Sequence, residues 1–177
     1  MKHLRYGQSA ILSSEQFDEL LATSTPRYRL LWAICYYTSC RISEALQLKR
    51  NDIIHDRIIF RGATTKEKKT RNIKITGKLA AIINEVGLPE KGYLFPGEGE
   101  GHLSRQAADK MLRKLCDYLG FRGISSHSFR RTAITNLHHA GIPLKHIQGR
   151  SGHSSLANLA KYVEVDQEAV DAAGELL

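Results

Sequence analysis

Residues 124–165 read ISSHSFRRTAITNLHHAGIPLKHIQGRSGHSSLANLAKYVEV. Ser126 is a candidate cap, a helix is predicted over 127–140, and Gly141 ends it. Phe129, Ala133, Ile134 and Leu137 recur at helical spacing and supply its apolar face. Shorter helices are predicted over 143–148 and 154–162. This packing leaves several reactive side chains unexplained. His127 and Arg130 lie three apart, hence on one helix face. His153 follows in a Gly152-His153 pair, and Tyr162 comes nine residues after it.

Upstream the chain reads as more helix. Residues 1–12 are a basic, unpatterned lead. Ser13 with Gln16 has capping-box spacing, and Phe17, Leu20 and Leu21 give the first apolar face. Thr25-Pro26 opens a second helix, and its run from Leu30 to Tyr37 is apolar nearly all round, which makes it central. A turn through Ser39 and Arg41 leads into a short helix carrying Glu44. The period then changes. Residues 57–60 and 71–75 are β-rich, and the basic segment 62–70 between them makes a hairpin with a charged tip. Helix resumes over 77–86, a Gly- and Pro-rich loop covers 87–103, and Ser104 caps a helix to Leu119 that Gly120 ends. The expected fold is mostly α with one small antiparallel sheet, an α+β domain over 13–165. A weak tail helix is predicted over 166–177.

The chain has 177 residues, of which 42% are apolar, enough for one domain with a real core. Its 26 Lys and Arg against 18 Asp and Glu give a formal charge of +8, which attracts polyanions. Cys35, Cys40 and Cys116 are odd in number and unpaired in spacing, and because Cys35 and Cys116 lie in apolar helical patterns, buried free thiols in a reducing compartment are expected. Neither a signal peptide nor a membrane-spanning run is visible, so the expected location is the cytoplasm or the nucleoid. No Cys/His spacing of a zinc site is present, and no metal or cofactor is expected.

Taken singly, each reactive side chain has a bland explanation. A helix can carry a solvated Arg or His anywhere, and His138, His139 and His146 read as surface or capping residues. The ensemble is harder to dismiss: Arg41 in an Arg-x-x-Glu box with Glu44, Lys66 at the hairpin tip, His127-x-x-Arg130, Gly152-His153, then Tyr162. This ordered set resembles the tyrosine recombinase, or phage integrase, family over about residues 13–165. The resemblance implies the family's DNA breaking–rejoining catalytic-domain fold and double-stranded DNA as substrate. It implies Tyr162 as the nucleophile of a transesterification that gives a 3′-phosphotyrosyl intermediate. Arg41 and Arg130 would clamp the non-bridging oxygens, because a guanidinium stays charged and donates in a fork. Lys66 would protonate the leaving 5′-oxygen, its five-residue spacing to Arg71 favouring it over Lys68 and Lys69. His127 and His153 would donate to the phosphate, His127 also being a candidate to take the tyrosine proton, and Glu44 would orient a neighbour. Lys68 and Lys69 read as phosphate contacts, and Arg105 and Gln106 as residues that meet a DNA groove.

Three positions depart from the family pattern: Ser39 stands where Gly is usual, and Phe129 and Ser151 where Leu is usual. They are expected to touch packing rather than chemistry. The implied assembly is a homotetramer on two DNA sites, with an apolar tail stripe (Val165, Ala169, Val170, Ala173) docking on a neighbouring protomer. Two other readings share these residues: a type IB topoisomerase-like nicking-closing enzyme, and a DNA-binding regulator that kept the fold.

Overall fold

Helix α2 (Pro26–Thr38) is the axis of the structure. Pro26 sits in the first turn, where its missing N–H would have no intrahelical partner in any case. Six consecutive residues, from Leu30 to Cys35, are buried, so partners are needed on every side. They are α1 (Ser14–Thr23), α3 (Ile42–Leu46), α4 (Gly77–Val86) and α6 (Ser126–His139). Trp32 of α2 lies flat on Phe129 of α6, ring centroids 5.2 Å apart, and Phe17 of α1 stacks on Tyr36 at 4.1 Å. The capping box expected at Ser13 and Gln16 forms.

The computed structural model describes residues 9–162 together with 172–173. The predicted tail helix therefore lies outside the described residues, apart from Ala172 and Ala173. Residues 9–12, read from sequence as part of the lead, lie against the body. Leu12 is buried, its N–H donates to Thr132 Oγ1 at 2.9 Å, and Ala10 N–H donates to the Gly123 carbonyl at 2.9 Å.

The sheet differs from expectation by one strand. Strands β2 (Arg57–Phe60) and β3 (Arg71–Lys74) form the predicted hairpin, and β1 (Ile53–Ile54) adds to the outer edge of β2. Its register pairs Ile53 with Ile58, while Ile58 pairs across β2–β3 with Ile73. His55, in the left-handed region at φ 52°, makes the tight reversal possible. A two-residue strand is too short for any periodicity to reveal. Ile58, Phe60 and Ile73 face the core, which leaves the tip between β2 and β3 projecting from it.

The C-terminal half carries three boundary corrections. Ser125, not Ser126, caps α6: its hydroxyl accepts from His127 N–H while Ser128 Oγ accepts from Ser125 N–H. Helix α7 (Leu144–Ser151) runs three residues past the predicted end, to Gly152 in the left-handed region. Helix α8 (Leu156–Ala160) is shorter than predicted because Ser155 caps it. Helix α5 (Arg105–Leu119) keeps its expected Ser104 cap and Gly120 terminus. The loop 87–103 is pinned by buried Leu94, Phe95 and Leu103. A second small core of Ile134, Ile147 and Leu159 joins α6, α7 and α8, and Tyr162 packs against it. All three cysteines are buried and free. No helix among the described residues is long and apolar enough to cross a membrane.

Candidate active site

Arg41, Lys66, His127, Arg130, His153 and Tyr162 all line one open cleft of about 490 Å³. They come from five separate parts of the chain: the α2–α3 turn, the β2–β3 tip, α6, the α7–α8 turn and the end of α8. Helix α2 packs on α6 and α3, and α7 packs on α6, α8 and β3, so the packing brings the set together.

Arg130 is the most deeply placed, at 2% exposure. Its Nη1 donates to the carbonyls of Ser39 and Ser151, each at 2.7 Å. Its Nη2 lies 3.0 Å from both ring nitrogens of His153. Burial, and then the Arg41 charge, pushes its pKa down to about 10, so it stays charged at neutral pH. The two carbonyls hold Nη1, and Nη2 is turned to the His153 ring at the cleft.

Arg41 is half-buried and is set by Glu44. The Glu44 carboxylate accepts from Arg41 N–H at 2.9 Å and from Arg41 Nη1 at 3.3 Å. The same carboxylate takes two bonds from Arg71, at 2.7 and 3.3 Å. Burial alone would raise the pKa of Glu44, yet the bonds and charge of Arg71, with those of Arg41, hold it below its ordinary value. Arg71 lies over the Phe60 ring at 4.5 Å, and its guanidinium fits where a side chain on Gly152 would stand. Sequence spacing used Arg71 only to locate Lys66, so its place under the site was missed.

His153 is buried, and its pKa is pushed down to about 3, by desolvation first and then by the Arg130, Arg41 and Arg71 charges. His127 stands at the more exposed rim, held below its ordinary value by partial desolvation and by the Arg105 and Arg130 charges. The Tyr162 ring meets the His153 ring edge-on, centroids 5.2 Å apart. Thr135 Oγ1 donates to the Tyr162 carbonyl at 3.3 Å, which ties the tyrosine backbone to α6. Lys66 is exposed at the rim, beside Glu67, whose carboxylate stands 3.8 Å from Arg41 Nη2. Arg131 also lines the cleft and binds the Ser9 carbonyl at 2.8 Å. No sequence signal pointed to Glu67, and Arg131 stood out only as a second arginine beside Arg130 inside the helix. Lys68, Lys69, Arg105 and Gln106 are exposed outside this cleft; Lys69 lines a neighbouring one with Arg71 and Lys145.

Such an arrangement can bind an anion with two guanidiniums and present a phenol to it. The model of the phage integrase family matches residues 10–169. The chain belongs to the phage integrase family. A tyrosine recombinase of Pseudothermotoga lettingae is 29% identical over 174 residues, covering 94% of this chain and 60% of that protein. Tyrosine recombinase XerC of Nitrobacter winogradskyi is 31% identical over 147 residues, covering 77% of this chain and 45% of that protein. The chain spans between about half and two thirds of the length of the first curated relatives it matches. Its fold is the catalytic-domain fold of this family. The crystal structure of XerA recombinase superposes with a TM-score of 0.76 at 22% identity, covering 93% of this chain and 63% of that one. The Tn1549 transposon integrase, in complex with a circular intermediate DNA, gives 0.81 at 18% identity, covering 96% and 66%.

Proposed function

We propose that this phage integrase domain cuts and rejoins DNA strands as a site-specific recombinase, with Tyr162 as the nucleophile. The observation that carries this reading is the convergence of Arg41, Lys66, His127, Arg130, His153 and Tyr162 on one cleft. The Tyr162 oxygen attacks the phosphorus of a phosphodiester and the 5′-oxygen leaves. The bond energy stays in a 3′-phosphotyrosyl link, and a 5′-hydroxyl reverses the step. Arg41 and Arg130 neutralise the non-bridging oxygens, where charge accumulates. His127 takes the phenol proton and Lys66 supplies one to the leaving oxygen. Lys68, Lys69, Arg105 and Gln106 hold the flanking duplex, which makes binding strongly salt-dependent. The DNA-bound assembly is a homotetramer on two sites. If truncation after Val165 leaves assembly on DNA unchanged, the tail has no part in it.

The test is a nicked duplex that traps the covalent intermediate, run with supercoiled plasmid beside it because the target site is open. Wild type and Tyr162→Phe are incubated in EDTA and resolved on a denaturing gel. A protein–DNA adduct that requires Tyr162 and survives chelation is expected. Salt-sensitive binding with neither adduct nor relaxation would favour a DNA-binding regulator instead. Relaxation without exchange between two sites would favour a nicking-closing enzyme.

A further inference from the structure

Ser151 stands where the family pattern usually has Leu, and it is fully buried. Its hydroxyl lies 2.8 Å from Nδ1 of His153. Its carbonyl accepts from Arg130 Nη1. We propose that Ser151 is a positioning residue: its hydroxyl donates to Nδ1 of His153, fixing the ring proton on Nε2 and so making neutral His153 a donor to the phosphate. The use of that donor rests on the recombinase reading; the bond itself does not.

The first support is what comparable hydroxyls do. A buried Ser or Thr in a helix ordinarily bonds the carbonyl four residues back. Thr38 bonds Ile34, and Thr132 bonds Ser128, in this way, each at 2.7 Å. Ser151, the last residue of α7, instead directs its hydroxyl at His153 across the left-handed Gly152. The turn thus brings hydroxyl and ring together.

The second support is the bonding of Arg130. Nη1 is committed to two carbonyls, and Nη2 faces both ring nitrogens. Once a phosphate oxygen accepts from Nη2, Ser151 remains as the donor to Nδ1.

The third is charge. His153 faces Arg130 from α6, Arg41 before α3, Arg71 from β3, Glu44 from α3 and Tyr162 after α8. Burial, and then these cations, keep the ring neutral across the physiological range. In a neutral ring one nitrogen donates and the other accepts, so the tautomer decides whether Nε2 attracts or repels a phosphate oxygen. A leucine at 151 would leave that choice to Arg130 alone.

The test needs no target site. The full chain is labelled with ¹⁵N-histidine, and His153→Asn identifies the His153 ring signals. Two-bond ¹H–¹⁵N correlations then report the tautomer between about pH 5 and 8. Wild type is expected as the Nε2–H form throughout. Ser151→Ala should give a mixture of tautomers and Ser151→Thr should restore the single form. A wild-type Nδ1–H form, or an unchanged spectrum in Ser151→Ala, would overturn the proposal. In single-turnover adduct formation, Ser151→Ala should slow cleavage at unchanged DNA affinity, by about 10- to 100-fold if the loss matches that for the orienting partner of a metal-bound histidine. Ser151→Thr should recover the rate, and equal rates in Ser151→Ala would refute the role. If wild type forms no adduct, the recombinase reading falls while the spectrum still decides the bond.

Discussion

Among the described residues Glu44 is the one buried carboxylate beneath the cleft, at 1% exposure, and two arginines depend on it. Glu44→Ala would strip Arg71 of both its carboxylate bonds and leave its guanidinium, only 10% exposed, without a counter-charge. Removing one partner of a buried ion pair costs about 3–5 kcal/mol, because the other charge stays desolvated. With a urea slope of about 2 kcal/mol/M, the unfolding midpoint should fall by roughly 1.5–2.5 M. Glu44→Gln keeps the shape and one acceptor, and its loss should be about 1.5–3 kcal/mol. The decisive variant is the double one, Glu44→Leu with Arg71→Met. It removes both charges and should recover at least half of the loss, since the penalty lies in the unpaired ion. The assay is equilibrium urea unfolding of Glu44→Leu, Arg71→Met and the double variant, read as a double-mutant cycle, with Glu44→Ala beside them. A midpoint shift below about 0.5 M for Glu44→Ala would refute the reasoning, as would additive losses in the double variant.

Acid should destabilise the domain through His153. Its folded pKa of about 3 lies below the ordinary 6.5, so from pH 6.5 downward the unfolded chain binds a proton that the folded site refuses. Stability falls with pH in that window by up to about 1.4 kcal/mol per unit, and His153→Asn should flatten the slope in pH-dependent melts. Ser39→Gly should raise stability by about 1–2 kcal/mol in the same melts. It relieves a left-handed φ of 55° and removes a buried hydroxyl with no partner, while keeping the carbonyl that Arg130 uses. Gly152→Ala should cost about 2–4 kcal/mol, because φ is 68° and the added carbon would come 2.6 Å from Arg71 Nη1. Glu67→Gln removes the carboxylate facing Arg41. Affinity for plain duplex DNA should rise by up to about fivefold in a low-salt titration, the scale of a half-exposed ion pair.

What could be read from the sequence followed the range of the signal. Local periodicity and caps located α2, α5 and the β2–β3 hairpin, because Pro26, Ser104 and Gly120 act on adjacent backbone. Strand β1 escaped because its evidence is tertiary, a two-residue pairing that only a reversal at His55 makes possible. The reactive side chains were visible as an ordered set, and the structure gathers them in one cleft. Their supports were not visible. Ser39 and Ser151 looked like packing substitutions, yet the carbonyls of both hold Arg130 from 91 and 21 residues away. A backbone carbonyl carries no residue-type signature, so no pattern of letters could have marked them. Arg131 stood out as an arginine inside a helix, but nothing local marked its partner, the Ser9 carbonyl 122 residues upstream.

Charge explains why so much of this chain supports so few groups. Two guanidiniums, Arg41 and Arg71, bind one buried carboxylate, Glu44, a third, Arg130, stands near them, and His153 is held neutral beside the group. Among these four charged groups three positive charges stand against one negative, an excess of two. A phosphodiester brings a single negative charge, whereas the five-coordinate arrangement reached during attack carries two. On the proposed reaction the site therefore matches the transition state better than the substrate, which is the condition for accelerating the chemical step. The excess is also what disfavours the empty site. Burial first, and then this excess, lowers the pKa of Arg130 to about 10 and of His153 to about 3, and Glu67 stands near Arg41 as a weak counter-charge. Two backbone carbonyls on Arg130 and two arginines on one carboxylate offset that repulsion without neutralising it. The guanidiniums thus stand ready for an anion at no cost of reorientation, in keeping with electrostatic preorganisation.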